Sequence, residues 1–265
     1  MGITVSVAQF GATTDRAANR ENVAKLVEHA ASGGAELIVL PENSMYSHPD
    51  PAADISSERE DLDGEFGTHI SKLAAQHRVT VVAGMTEINE ANDKGLNTVL
   101  AVGNDGSRIG VYRKVHLYDA FGYKESDRFQ AADFEPLTFE LAGLTFGVMT
   151  CYDLRFPEIA RALVDAGANT IVVPAAWAVG PGKEDHWTTL LRARAIENTV
   201  HVIAAGQTAP HCTGLSMVID PMGIVVANAG EVEGVASAYI DSERVNAVRA
   251  KNPSLANRRF SVSPK

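Results

Sequence analysis

The sequence predicts an α/β fold in four layers, α-β-β-α, with two sheets packed face to face and helices on the outside. Three observations carry this expectation. Strand-like apolar alternation and helix-like 3.6-residue periodicity alternate along the chain. The order strand, helix, strand, helix, strand then recurs in a second half. Finally, Val39-Leu40-Pro41-Glu42 and Val172-Val173-Pro174-Ala175 close apolar runs at corresponding points of the two halves, as expected of two pseudo-equivalent units.

The elements follow in order. Ile3-Thr4-Val5-Ser6-Val7-Ala8 alternates as a strand. Asp15 to Ala31 places Val23, Leu26, Val27 and Ala30 on one helical face, and Gly33-Gly34 stops it. Glu36 to Leu40 is a short, nearly continuous apolar run, the pattern of a strand covered on both faces, and Glu42 lies just beyond it. A helix over 64–78 and a strand over 79–83 repeat the pattern. Strands over 97–103 and 108–113 join through the turn Asn104-Asp105-Gly106-Ser107. The second half reads as a strand over 144–150, a helix over 157–166, a strand over 170–173 ending at Pro174, a helix over 184–198 and a strand over 200–205. A hairpin, 216–220 and 224–227 around Pro221-Met222-Gly223, closes it.

Composition narrows the function. The 265 residues are 45% hydrophobic and 21% charged, ordinary for a globular protein, and one α/β core can hold a chain of this length. A formal net charge of −10 disfavours nucleic-acid and anionic-membrane partners, which require clustered Lys and Arg. The segment Met1 to Val7 lacks the charged and long apolar regions of a signal peptide and reads as a first strand, so a cytoplasmic location is expected. The two cysteines, Cys151 and Cys212, form no CxxC, so neither a zinc site nor a dithiol redox motif is expected, and no cofactor is implied. Cys212 beside His211 reads as incidental, because a single Cys-His pair cannot close a metal site.

Cys151 follows the apolar strand Leu144 to Thr150 and precedes a helix opening at Pro157. A strand-to-helix turn projects its side chain at a sheet edge, where oriented amides favour a thiolate and an oxyanion. A buried cysteine acting as a small hydrophobe is the common alternative. A nucleophilic thiol needs a base and a cation. Glu42, after an apolar strand and a proline, suits a buried carboxylate of raised pKa, and Lys114 closes a strand and supplies positive charge. Their structural alternatives are a loop acid and an exposed strand-end lysine.

Leu40-Pro41-Glu42-Asn43, Tyr112-Arg113-Lys114-Val115-His116-Leu117 and Thr150-Cys151-Tyr152-Asp153-Leu154-Arg155-Phe156-Pro157-Glu158 resemble, in order, the Glu, Lys and Cys motifs of the nitrilase superfamily. The resemblance extends through His186-Trp187, the 191–198 segment and the 216–221 hairpin. It implies a nitrilase-like fold, with residues 1–240 as one carbon–nitrogen hydrolase domain and 241–265 as a C-terminal helix and tail at a subunit interface of a homodimer or larger homo-oligomer. It also implies roles: Glu42 as general base, Lys114 as stabiliser of the tetrahedral intermediate, Cys151 as nucleophile and Glu125 as the second acid. The Tyr152 backbone N–H would share the oxyanion with Lys114.

The Cys-Tyr-Asp-Leu-Arg-Phe-Pro-Glu string is similar to the amidase branch containing omega-amidases and deaminated-glutathione amidases, which act on carboxylate-bearing amides. A small amide is therefore the expected partner. N-carbamoyl amino acid hydrolysis and true nitrilase activity compete with it, as do, from other classes, a non-catalytic scaffold and a thiol redox sensor. Arg155 either holds a substrate carboxylate or pairs with Asp153 or Glu158. Trp177 and Tyr118 are expected at the substrate wall, and His186 is as much structural as wall-forming. His116 reads as a satisfied core histidine. The segment Ala178 to Asp185, longer and more charged than is usual in that branch, and the loop Leu117 to Phe129 are expected to border the pocket.

Overall fold

The computed structural model describes residues 2–50 and 52–263. Met1, at the start of the expected first strand, and Pro264-Lys265, at the end of the expected tail, lie outside the described residues.

The first sheet is built from β1 (Gly2–Gln9), β2 (Leu37–Val39), β3 (Thr80–Glu87), β4 (Leu96–Val102) and β5 (Arg108–Arg113). On its outer face lie α1 (Arg16–Ser32) and α2 (Glu65–His77). A two-residue hairpin, β6 (Asp119–Ala120) and β7 (Tyr123–Lys124), follows. The second sheet contains β8 (Thr138–Leu141), β9 (Leu144–Val148), β10 (Thr170–Ala175), β11 (His201–Gly206), β12 (Met217–Ile219) and β13 (Val225–Asn228). It is covered outside by α3 (Pro157–Asp165) and α4 (Lys183–Asn198). The chain then returns to the first sheet through β14 (Gly234–Asp241) and ends in α5 (Ser242–Lys251) and a short tail.

The sheet orders are β14-β1-β2-β3-β4-β5 and β13-β12-β11-β10-β9-β8. In the first, β1, β2 and β3 are parallel neighbours flanked by antiparallel β14 and β4. In the second, β9, β10 and β11 are parallel neighbours flanked by antiparallel β8 and β12. The predicted equivalence of the two halves therefore holds strand by strand, with β2 matching β10. Three apolar clusters fill the three interlayer spaces: α1 and α2 on the first sheet, α3 and α4 on the second, and a sheet-to-sheet core including Val5, Val39, Val82, Phe146, Val172 and Ile203. This is the predicted α-β-β-α sandwich.

Local chemistry sets the boundaries. Asp15 caps α1 by accepting from the Ala17 and Ala18 amides, both at 3.0 Å. Pro157 opens α3 at a position where a missing N–H costs nothing. Pro174 lies inside β10, one residue beyond the expected strand end. β9 stops pairing at Val172, so no ladder bond is lost, and the Pro174 carbonyl accepts the Thr150 hydroxyl at 2.8 Å. Besides the two-residue β6 and β7, which lie in the expected loop, two longer strands escaped the sequence pattern. β14, with its small residues Ala236, Ser237 and Ala238, carries little apolar alternation. β8 is a four-residue edge strand.

One glycine fixes where β2 ends relative to β3. A Cβ on Gly84 would lie 2.6 Å from the Glu42 Cα and 2.7 Å from the Asn43 N. Backbone cannot yield there cheaply, so Gly84→Ala is expected to destabilise the fold by about 1–3 kcal/mol, read as a lowered urea midpoint at unchanged slope. An unchanged midpoint would mean that β3 and the Glu42 loop separate without cost.

Candidate active site

The C-terminal ends of the parallel strands meet around one cavity of about 780 Å³, lined in part by Glu42, Lys114, Glu125 and Cys151. All four are buried, at 2%, 2%, 4% and 7% exposure, although three are ionisable side chains that ordinarily seek water. Sequence-distant positions are thus brought into one cluster.

Cys151 begins a 3₁₀ turn, Cys151–Arg155, directly after β9. Its φ of +47° lies in the left-handed region, uncommon for any residue with a side chain. The turn is pinned by a capping box between Thr150 and Asp153. Asp153, fully buried, accepts from the Thr150 N–H at 3.0 Å, the Tyr112 hydroxyl at 2.7 Å, and the His116 N–H and Nδ1 at 3.1 and 2.9 Å. The carboxylate expected as a possible partner of Arg155 thus anchors the cysteine turn instead. His116 is satisfied by Asp153 and stacks on Phe156 at 3.7 Å between ring centroids, as a structural histidine would.

Glu42 and Glu125 share Lys114. The ammonium donates to Glu42 Oε1 at 2.9 Å and to Glu125 Oε2 and Oε1 at 2.9 and 3.1 Å. Asn97 bridges the same two carboxylates, its Nδ2 donating at 2.8 Å to each. The Ala176 N–H reaches Glu42 Oε2 at 2.7 Å, and the Tyr118 N–H reaches Glu125 Oε2 at 2.6 Å. Gln207 Nε2 holds the Glu42 carbonyl at 2.8 Å. The Cys151 thiol and the Glu42 carboxylate interact electrostatically within the same cluster.

Electrostatics follow from this geometry. Burial alone would raise the Glu42 pKa, but the Lys114 charge and the hydrogen bonds from Lys114, Cys151 and Asn97 outweigh it, and the net shift is downward. The expectation of a raised value is therefore corrected: Glu42 is an ionised carboxylate. Burial opposes the Lys114 charge, yet Glu125 and Glu42 hold it protonated well above the ordinary lysine range. Burial and the Glu42 charge push the Cys151 thiol well up, against the opposing pull of Lys114. The resting arrangement is a thiol on a carboxylate beside an ammonium.

A narrow crevice continues from Cys151 between Tyr152, Arg155, Trp177 and Lys183. Arg155 pairs with neither Asp153 nor Glu158. Its guanidinium lies 4.9 Å from the Trp177 ring centroid and 5.8 Å from that of Phe121, and reaches His186 Nδ1 at 3.3 Å. Trp177, Tyr118 and Tyr152 line the crevice as wall residues, while His186 acts on Arg155 and Trp187 is wholly core. The Tyr152 N–H belongs to the first amides of the 3₁₀ turn, which have no carbonyl partner within the turn. Both segments expected to border the pocket do so: Tyr123, Glu125, Arg128 and Phe129 from one, Ala178 and Lys183 from the other. Cys212 also lines the large cavity, with burial pushing its thiol up to about 12. Among the described residues no cluster of three or more His, Cys, Asp or Glu is arranged to hold a metal ion.

Sequence reasoning missed Asn97, Gln207 and the anchoring role of Asp153. The available signal for Asn97 was a polar residue opening an apolar strand. Its significance depends on β4 pairing with β5, which sets the Asn97 carbonyl 2.9 Å from the Lys114 N–H.

Comparison with known proteins agrees with this geometry. Residues 4–250 match the family Carbon-nitrogen hydrolase. A deaminated glutathione amidase of Escherichia coli O157:H7 is 38% identical over 257 residues, covering 97% of each chain. An omega-amidase of Saccharomyces cerevisiae is 33% identical, covering 98% of this chain and 94% of its own. The crystal structure of Saccharomyces cerevisiae Nit3, a member of branch 10 of the nitrilase superfamily, superposes with a TM-score of 0.87 at 30% identity, covering 98% of this chain and 97% of that one. That of a carbon–nitrogen hydrolase from Helicobacter pylori G27 gives 0.89 at 27% identity, covering 97% and 95%. The motifs around Glu42, Lys114 and Cys151, the sandwich and these matches together make the chain a member of the carbon–nitrogen hydrolase family, within the nitrilase superfamily.

Proposed function

We propose that this carbon–nitrogen hydrolase cleaves a small aliphatic amide bearing a carboxylate, giving a carboxylic acid and ammonia through a thioester on Cys151. The observation that carries the proposal is the buried cluster in which Cys151 lines one cavity with Glu42, Lys114 and Glu125 while Lys114 bridges the two glutamates. The names of the amidase relatives point the same way.

In the proposed mechanism Glu42 takes the thiol proton as Cys151 Sγ attacks the amide carbonyl carbon. The thiolate is never free in water, so the high thiol pKa is no obstacle: the proton passes to Glu42 within the buried cluster as the sulfur attacks. The carbonyl oxygen becomes an oxyanion that Lys114 and the Tyr152 N–H receive. At rest the three Lys114 protons face Glu42 Oε1 and both Glu125 oxygens, so Lys114 receives the oxyanion by giving up its longer contact, the one to Glu125 Oε1. Collapse of the tetrahedral intermediate breaks the carbon–nitrogen bond, and protonated Glu42 delivers its proton to the leaving nitrogen. The Glu42 carboxylate then draws a proton from water, which attacks the thioester and releases the acid and the thiol. Glu125 and Asn97 hold Lys114 and Glu42 in register throughout.

We further propose a cytoplasmic homo-oligomer, a dimer or larger, in which residues 1–240 form the hydrolase domain and 241–265 lie at a subunit interface. Exposed Ile196, Met222 and Ile224 support an association surface. Among the described residues no helix is long and apolar enough to cross a membrane.

Cys151→Ala is expected to remain folded and to lose ammonia release from carboxy-amides by at least about a thousandfold; full activity in that variant would overturn the assignment. In Glu42→Gln, slowed roughly 10²–10⁴-fold, intact-protein mass spectrometry is expected to find the acyl group on Cys151. A nitrile panel turned over faster than the amides would instead favour nitrilase activity.

The pH profile has a definite sign. A base acts only when unprotonated, and the Glu42 pKa is lowered from 4.5, so kcat/KM should fall only as pH drops below the ordinary glutamate range. Because Cys151 and Lys114 keep their protons well above their ordinary values, activity should stay level through neutrality. An acid limb centred near pH 6 or higher would remove ionised Glu42 as the base.

A further inference from the structure

Lys183 is not explained by the mechanism above. It is the first residue of α4, only 5% exposed, in the charged segment Ala178 to Asp185, yet no carboxylate pairs with it among the described residues. Its ammonium donates to the Tyr118 hydroxyl at 2.7 Å and lies 4.0 Å from the Phe121 ring centroid and 5.8 Å from that of Trp177. Its backbone is equally fixed: the carbonyl accepts the Trp177 Nε1–H at 2.9 Å, and the N–H donates to the Gly180 carbonyl at 3.0 Å.

Arg155 faces the same two rings, Trp177 and Phe121, and also lacks a carboxylate partner among the described residues. Its Nε is buried without a hydrogen bond. Two cations therefore straddle the same aromatic pair at the crevice that opens on Cys151 and Tyr152. Like charges held together and partly desolvated repel one another, and ring faces compensate only in part. The cost is visible at Lys183, whose pKa is lowered by burial and by Arg155. Some arginines of this chain find acids, as Arg113 finds Glu87 at 2.6 Å and Arg244 finds Asp220 at 2.5 Å, while others settle on carbonyl or hydroxyl oxygens, as Arg161 and Arg249 do. A buried cation beside a half-buried one, with no carboxylate on either among the described residues, presents a site for an anion arriving from outside.

We propose that Lys183 is a specificity-determining residue that, with Arg155, clamps the substrate's carboxylate between two cations and so sets the preference for anionic over neutral amides. The inference rests on the thioester amidase activity proposed above and deepens it by naming the second cation. Tyr118 would carry two tasks: its N–H orients Glu125, and its hydroxyl orients Lys183. Recognition of the carboxylate and alignment of the Lys114 cluster are thereby joined through one residue.

The test compares kcat/KM for two linear amides of equal length, one ending in a carboxylate and one in a neutral hydroxymethyl group. Wild-type enzyme is expected to prefer the acid. In Lys183→Met and Lys183→Gln the acid-to-neutral ratio should fall roughly ten- to hundredfold, the worth of one charge-assisted hydrogen bond, and chiefly through KM for the acid. Lys183→Arg should restore much of the ratio. A ratio that stays at the wild-type value in folded Lys183→Met, or in Lys183→Gln should the first variant fail to fold, overturns the proposal while leaving the amidase reading intact. A wild-type enzyme that releases ammonia equally from both amides overturns the carboxylate preference itself, and one that releases none from either overturns the amidase activity on which it rests.

Discussion

A buried ammonium between two buried carboxylates is the constraint around which this molecule is arranged. Removing Lys114 from water is costly, and so is removing Glu42 and Glu125; only together, with Asn97 donating to both acids, do the groups become tolerable in the interior. The cluster draws on four separated stretches of chain. The end of β2 supplies Glu42, β4 supplies Asn97, the residue after β5 is Lys114, and the turn after β7 carries Glu125. Charge compensation therefore demands that the first sheet and its following loop be assembled in one register. Cys151 comes from the second sheet, so its thiol and the Glu42 carboxylate meet only when the two sheets pack.

Much of this was legible in the sequence because period and motif reflect the same geometry. The alternation at Ile3 to Ala8, the helical face of Val23, Leu26, Val27 and Ala30 and the prolines at 41 and 174 located the sandwich. The three motifs located Glu42, Lys114 and Cys151. What was hidden depends on partners distant in sequence. β14 pairs with β1 from the other end of the chain and is rich in small residues, so it carries weak local signal. Asn97 looks like any polar strand opener until β5 is laid beside it. Asp153 follows Cys151 closely and invited pairing with the neighbouring Arg155, but the sheet brings Tyr112 and His116 to it instead.

The Glu42 correction shows why burial alone is a poor guide to charge state. The residue is as buried as expected, and burial does oppose its ionisation. A single lysine at 2.9 Å, with amide donors on both carboxylate oxygens, reverses the outcome. A proton acceptor in this setting is prepared in advance, and its hydrogen bonds need little rearrangement as charge moves.

The left-handed backbone at Cys151 has a consequence for how stability and chemistry are divided along the chain. A residue with a Cβ held at φ +47° costs roughly 1 kcal/mol relative to its relaxed conformations, and glycine would fit that backbone better. The position that the proposed chemistry needs is thus one that folding alone would fill differently. Selection for a sturdier protein and selection for a working one would pull this site in opposite directions. Under the proposed mechanism, thermostability screens of this chain that do not monitor turnover would therefore drift toward folded, inert variants at position 151.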